Sequence, residues 1–212
     1  GGIATRTADG GLAIVSDNNV VGNTIGIAVT GSGTTLLSRN FVSANLAIGV
    51  SLYASPGAMI QAEQNVVTNH TNENAGTGIL VTYREGGPSL ISISETTIAE
   101  NESSTFGGGV IATLGADAVL EISRSTISGN RAGEDGGGIW LNLRGGSVLL
   151  EQVTVSGNSA AGFGGGIFVA TPEPDFSGEE PPLGELMIRH STITRNGANP
   201  DSIEGTYGGG VF

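Results

Sequence analysis

A two-part pattern recurs along nearly the whole chain and sharply limits what it can fold into. Gly-Gly-Gly followed by a β-branched residue stands at 107–110, 136–139, 164–167 and 208–211. Shorter versions stand at 1–3, 26–27, 49–50 and 78–79. Upstream of seven of these lies an Ile or Val three residues before an Asn: Val20/Asn23, Val42/Asn45, Val66/Asn69, Ile98/Asn101, Ile127/Asn130, Val155/Asn158 and Ile193/Asn196. The Asn positions are 22, 24, 32, 29, 28 and 38 residues apart. Internal periods of this size mean that one supersecondary unit repeats and stacks on itself.

The residues between the anchors read as strands. Around Asn130 the runs are Val-Leu-Glu-Ile-Ser (119–123), Ser-Thr-Ile-Ser (125–128) and Gly-Ile-Trp-Leu (138–141). They are rich in β-branched residues, alternate with period two and are bounded by Gly, Asn and Ser. No segment keeps a 3.6-residue period. Three short strands and three turns in 22 to 32 residues make one coil of a parallel β-helix. The expectation is an all-β fold, a right-handed parallel β-helix solenoid of about seven coils and roughly 34 Å long at the ~4.8 Å strand spacing. Residues 1–212 form a single domain with a loop insertion at 171–185. Both ends fall within a repeat and carry no capping helix, so the chain is expected to be a segment of a longer solenoid, or to have its ends covered by neighbouring subunits.

The anchors have physical reasons. Asn tolerates left-handed backbone and can bond its counterparts in the coils above and below. Gly allows close approach where one coil passes over the next. Inward side chains are expected at Ile27/Val29, Val50/Leu52, Ile79/Val81, Val110/Ala112, Ile139/Leu141 and Ile167/Val169 after the glycines. In the second strand they are Ile91/Ile93, Leu120/Ile122, Val148/Leu150 and Leu186/Ile188.

Composition then removes function classes. Of 212 residues 37 are Gly, against an average near 7%. The spacing is not every third residue, which rules out collagen. The net charge is −12, and the basic residues number only 8, all Arg. Such a chain has no basic face for phosphates and is repelled by anionic membranes. No apolar run has the length of a membrane span. Zero Cys excludes disulfides, thiolate metal sites and thiol catalysis. No cofactor is expected.

The stretches 125–130 with 136–139, 153–158 with 164–167, and 191–196 with 208–211 resemble the paired Gly-Gly-Ala-Ile and Phe-x-x-Asn repeats of polymorphic outer membrane proteins. They are more similar still to the Ser-Thr-Ile-Ser-Gly-Asn and Gly-Gly-Gly-Ile repeats of large bacterial right-handed parallel β-helix surface proteins. This chain has Ile or Val where the outer membrane repeats have Phe, and Gly where they have Ala. The resemblance is close over the last four coils and loose over the first three. It implies a secreted or cell-surface bacterial protein with an adhesive or structural role. At the level of fold it also permits a carbohydrate-active enzyme, a polysaccharide lyase, hydrolase or epimerase.

Candidate sites follow from alternation. In the strand after each glycine run the middle residue points outward. Down the coils it is Ala4, Ala28, Ser51, Leu80, Ile111, Trp140, Phe168 and Phe212. The last five, Leu80, Ile111, Trp140, Phe168 and Phe212, form an apolar stripe, the expected contact surface for a protein partner, a neighbouring segment or a glycan. Phe176 and Leu183 are the side chains that could instead cover it. Phe106, Phe163 and Tyr207 are expected to stack along the turn edge. The insertion carries Glu173, Asp175, Glu179 and Glu180 with several prolines and reads as an acidic contact loop.

Six residues before the Asn positions stand Asp17, Arg39, Glu63, Glu95, Arg124, Gln152 and His190. They read as a solvated charge ladder between coils rather than a catalytic row. His70 falls in a polar run, and neither His has triad or metal-ligand spacing. Glu134-Asp135 reads as turn chemistry, with a calcium site as the alternative. The expected function is a non-enzymatic structural or adhesive rod.

Overall fold

The computed structural model describes residues 1–72, 76–83, 86–170, 182–198 and 209–212. Their strands form a parallel β-helix of seven coils. Three seven-stranded sheets run the length of the rod, and every pairing between strands of successive coils is parallel. Coil 5 shows the plan. Val110–Gly115 lies in the first sheet, Ala118–Ser123 in the second and Thr126–Ser128 in the third. Arg131–Ala132 then adds a strand of two residues. This fourth strand, absent from the three-strand expectation, recurs in coils 3 to 7 and makes a five-stranded sheet. Its strands are too short to show an alternating pattern in sequence.

The inward positions fill the tube as expected. Ile27, Val29, Leu52, Val81, Ile91, Ile93, Ala112, Leu120, Ile122, Ile139, Leu141, Leu150 and Ile167 are each at most 1% exposed. At ~25 cal/mol per Å² such aliphatic burial is the main favourable term in folding. Coverage thins in coil 7, where Leu186 is half-buried and Ile188 is 36% exposed. An inward side chain here depends on the coils on both sides of it.

The glycine run has two jobs. Gly107, Gly136 and Gly164 have φ of 58°, 70° and 59°, left-handed values that cost other residues free energy. The last glycine of the run needs space instead. A Cβ on Gly138 would lie 2.6 Å from the Gly166 carbonyl oxygen and 3.0 Å from Asn158 Nδ2. Glycine therefore lets successive coils touch and leaves room for the anchor side chain of its own coil.

Candidate functional site

The anchors form a continuous internal ladder. The backbone N–H of Asn23 donates to Asn45 Oδ1 (2.9 Å), that of Asn101 to Asn130 Oδ1 (3.1 Å), that of Asn130 to Asn158 Oδ1 (2.9 Å) and that of Asn158 to Asn196 Oδ1 (3.0 Å). From Asn45 onward each side-chain amide of the ladder also donates back to a carbonyl of the preceding coil, as Asn130 Nδ2 does to Ile98 (3.1 Å) and Asn158 Nδ2 to Ile127 (3.0 Å).

In coil 3 the anchor is His70, not Asn69. The Asn45 N–H donates to His70 Nδ1 (3.0 Å), and the His70 N–H donates to Asn101 Oδ1 (3.1 Å). His70 is completely buried, contrary to its reading as a polar-loop residue. Burial holds its pKa below the usual histidine value, against two backbone hydrogen bonds that raise it. Asn69 is exposed with φ 58°. Val66/Asn69 and Val67/His70 both fit an apolar residue three positions before a polar one, and the sequence pattern selected the wrong pair. The true spacings are 22, 25, 31, 29, 28 and 38.

The same one-residue slip corrects the charge row. Gln64, not Glu63, shares its place: φ is positive at Asp17, Arg39, Gln64, Glu95, Arg124, Gln152 and His190. Glu63 sits one residue earlier, in register with Ser38 and Ser94. Arg39 makes two 2.7 Å hydrogen bonds to Asp17. Glu95 accepts from Gln64 Nε2 at 2.9 Å and pairs with Arg124 at 3.3 Å. Hydrogen bonding to Arg39 holds the Asp17 carboxyl below its ordinary pKa. The bonds from Gln64 and Arg124 do the same for Glu95. These groups bond one another along a solvated ridge, where such pairs contribute little. His190 lies 3.9 Å from Glu151 of the preceding coil.

A second internal ladder had no counterpart in the sequence reading. It lies at the turn between the second and third sheets, one residue after the charge row. Asn40 Oδ1 accepts from the Asn18 N–H (3.2 Å), Asn65 Oδ1 from Asn40 (3.0 Å), Thr96 Oγ1 from Asn65 (3.3 Å) and Ser125 Oγ from Thr96 (3.1 Å). Buried Val153 interrupts the series, and Ser191 Oγ then accepts from the Val153 N–H (3.1 Å). The available signal was a polar residue five positions before six of the seven true anchors.

The outward stripe lies on the first sheet. Ser51, Leu80, Ile111, Trp140 and Phe168 are mutual partners in successive strands. Val211 bridges to Ile167, which sets Phe212 beside Phe168. Leu80, Ile111, Trp140 and Phe168 are half-buried, and Phe212 is 51% exposed. Phe106 stacks on Trp140, with centroids 5.2 Å apart. Phe163 stacks on Phe212 at 4.8 Å and on Phe168 at 6.4 Å, and Phe168 lies 5.8 Å from Phe212 with the rings 6° from parallel. Phe106 and Phe163 thus extend the stripe into a five-ring cluster. Asp135 Oδ1 accepts the Phe163 N–H at 2.7 Å and ties the turn that carries that ring. Among the described residues the Trp140 indole N–H has no hydrogen-bond partner and is buried, so stacking and packing hold the ring.

Glu173, Asp175, Phe176, Glu179, Glu180 and Tyr207 lie outside the described residues. Leu183 is 85% exposed and bridges to Arg144. A further apolar area, missed in the sequence, lies on the outer face of the second sheet. Leu12 and Ile14 are each 62% exposed, and Met59 is 42% exposed. The run 12–16 puts apolar residues on both faces of its strand, so alternation did not reveal which were outward. Among the described residues, no group of three or more His, Asp or Glu is placed to hold a metal ion.

Residues 26–211 match the family described as "Right handed beta helix region". The chain belongs to this family. Comparison with curated proteins and with solved structures gives no match. A right-handed β-helix suits a structural or surface role and also suits carbohydrate-active enzymes, so function must be argued from the sites.

Proposed function

We propose that this right-handed β-helix is a non-enzymatic extracellular or cell-surface protein, a rigid spacer or assembly subunit. Its contact face is the outer face of the first sheet. The observation that carries the reading is the aromatic cluster of Phe106, Trp140, Phe163, Phe168 and Phe212 at one end of the stripe. Stacked, partly exposed rings supply large contact area at low entropic cost, as interface cores require. Leu80 and Ile111 continue the apolar surface toward coil 4. The rod behind it is stiff, because each coil bonds its neighbours through backbone strands and the anchor ladder, with the second ladder adding bonds on either side of Val153. The partner is a protein or an adjoining segment of the same protein, with a glycan as the other ligand that aromatic faces accept. The charged row supports a structural role, since Arg39 bonds Asp17 and both Gln64 and Arg124 bond Glu95 along a solvated ridge.

The test is the double variant Trp140→Ser/Phe168→Ser, with circular dichroism to confirm the fold. Sedimentation and binding to bacterial cell-surface fractions are expected to show lost association. Unchanged assembly and unchanged binding would overturn the reading. Incubation with a polysaccharide panel, with and without calcium, is expected to give no cleavage. Cleavage abolished by Arg124→Ala would replace the structural role with a catalytic one.

A further inference from the structure

Six of the seven ladder positions hold an amide, which has no proton to gain or lose in water near neutral pH. The exception is His70, and the geometry fixes its protonation. Nδ1 faces the Asn45 N–H at 3.0 Å and must accept. Nε2 faces the Val42 carbonyl at 3.2 Å and must donate. The neutral ring protonated at Nε2 satisfies both, and neither the other tautomer nor the imidazolium does. In this form the imidazole copies an amide, with Nδ1 in place of Oδ1 and Nε2–H in place of Nδ2–H. Asn101 makes the matching pair of bonds one coil later: its Oδ1 accepts from His70, and its Nδ2 donates to the Val67 carbonyl at 3.2 Å.

From this we infer that His70 makes the junction between coils 2 and 3 an acid-sensitive joint. Protonation at Nδ1 takes the acceptor from the Asn45 N–H, puts a charge into a fully buried turn and loosens coils 1 and 2 from the rest of the rod.

Among the described residues the surroundings offer the charge no carboxylate partner. Val42 and Asn45 of coil 2, Gly49 of coil 3 and Asn101 of coil 4 pack against or bond the residue, and all are uncharged. A Cβ on Gly49 would lie 2.5 Å from Nε2, so the ring has little room to shift toward that strand. Glu100 and Glu102, which flank Asn101, are exposed, and Glu102 faces Arg131 at 3.9 Å. Glu63 earlier in coil 3 is exposed, and Glu73 lies outside the described residues. An acceptor does lie near Nδ1, the Asn45 carbonyl at 3.4 Å. It favours the charged ring, yet burial outweighs it and the folded pKa lies below that of a free histidine. The unfolded chain therefore binds the extra proton first. Stability is complete above the unfolded value of about 6.5 and is lost as pH falls from there toward the folded value. In a solenoid the loss is local, because stability is a sum of coil and nearest-neighbour terms.

The test compares the full chain with His70→Asn, which restores the amide. Urea unfolding is followed from pH 8 to pH 5. The two curves should run parallel above pH 7. Below about 6.5 the wild-type unfolding constant should rise relative to the variant, approaching tenfold for each pH unit. Parallel behaviour down to pH 5 overturns the inference. Hydrogen exchange at pH 5 should show wild-type protection lost first in 25–43 and 48–68. Uniform loss along the rod overturns the joint. If His70→Asn does not fold, proton NMR of the wild type decides the matter. Its two imidazole resonances belong to buried His70 and exposed His190. A His70 ring that titrates near 6.5 in the folded chain overturns the inference, and one that stays neutral there supports it.

Discussion

At the turn after the third sheet, six coils place an Asn and one a His. At the turn before it, the equivalent position runs Asn18, Asn40, Asn65, Thr96, Ser125, Val153, Ser191. Both turns bond the backbone N–H of one coil to a side chain of the next. They differ in how uniformly that side chain does more. After the third sheet it must also reach a carbonyl of the preceding coil, as Asn130 Nδ2 reaches Ile98 and His70 Nε2 reaches Val42. That span requires an amide or an imidazole. Before the third sheet the asparagines keep that span, Asn40 Nδ2 reaching Val15 (2.9 Å) and Asn65 Nδ2 reaching Leu37 (3.1 Å), whereas Thr96 Oγ1 donates to Ser94 (2.9 Å) and Ser125 Oγ to Ser123 (2.7 Å) within their own coils. A hydroxyl is long enough, and at Val153 even the acceptor is missing. The choice of residue at each position thus reports how many buried groups its side chain must satisfy.

The contrast can be broken most strongly at Asn130. In Asn130→Ala the Asn101 N–H loses its acceptor and the Ile98 carbonyl its donor. The expected loss is about 3–5 kcal/mol, at roughly 1–3 kcal/mol per unsatisfied buried group. Asn130→His should recover much of it if the imidazole of coil 3 is a true stand-in. Urea denaturation measures both variants. Next comes Gly138→Ala, which drives a methyl against the Gly166 carbonyl and the Asn158 amide. Overpacking of this kind costs about 1–3 kcal/mol, and Gly138→Val should cost more. Ser125→Ala is milder still. It strips one acceptor from the Thr96 N–H and is expected to cost about 1 kcal/mol in the same assay, well short of Asn130→Ala. Equal losses at Asn130 and Ser125 would erase the distinction between the amide and the hydroxyl positions.

The same contrast explains what could be read from the sequence. Strand identity and inward positions were legible because burial enforces alternation at places such as Leu120/Ile122 and Ile139/Leu141. The stacking glycines were legible because no other residue fits beside the next coil. The ladder after the third sheet was legible through its asparagines and failed at His70, since an imidazole supplies the same donor and acceptor under a different letter. That failure shifted Glu63 into a place that belongs to Gln64. The ladder before the third sheet stayed hidden because Asn, Thr, Ser and Val share no obvious pattern. The stripe from Leu80 to Phe212 followed from counting along strands. The stacking of Phe106 and Phe163 on it did not, because those rings approach from the turn.

The charge row is the limiting case, a position where only the backbone is constrained. Its members all have φ between 45° and 60°, yet they are Asp, Arg, Gln, Glu, Arg, Gln and His. No side chain there satisfies a buried group, so no type is demanded. Arg39→Ala is accordingly the smallest expected effect. The Asp17 carboxyl, held below its ordinary pKa by Arg39, can favour the folded state only above about pH 3.8, and that contribution fades as pH falls below it. Both side chains are more than half exposed, at 55% and 59%, so solvent and salt screen the pair. Unfolding midpoints of wild type and Arg39→Ala are expected to coincide at pH 7 and at pH 3. A difference at pH 7 that disappears at pH 3 and in high salt would show that the ridge contributes to the stacking of coils 1 and 2. The inside of the solenoid would then not be the only source of its cohesion.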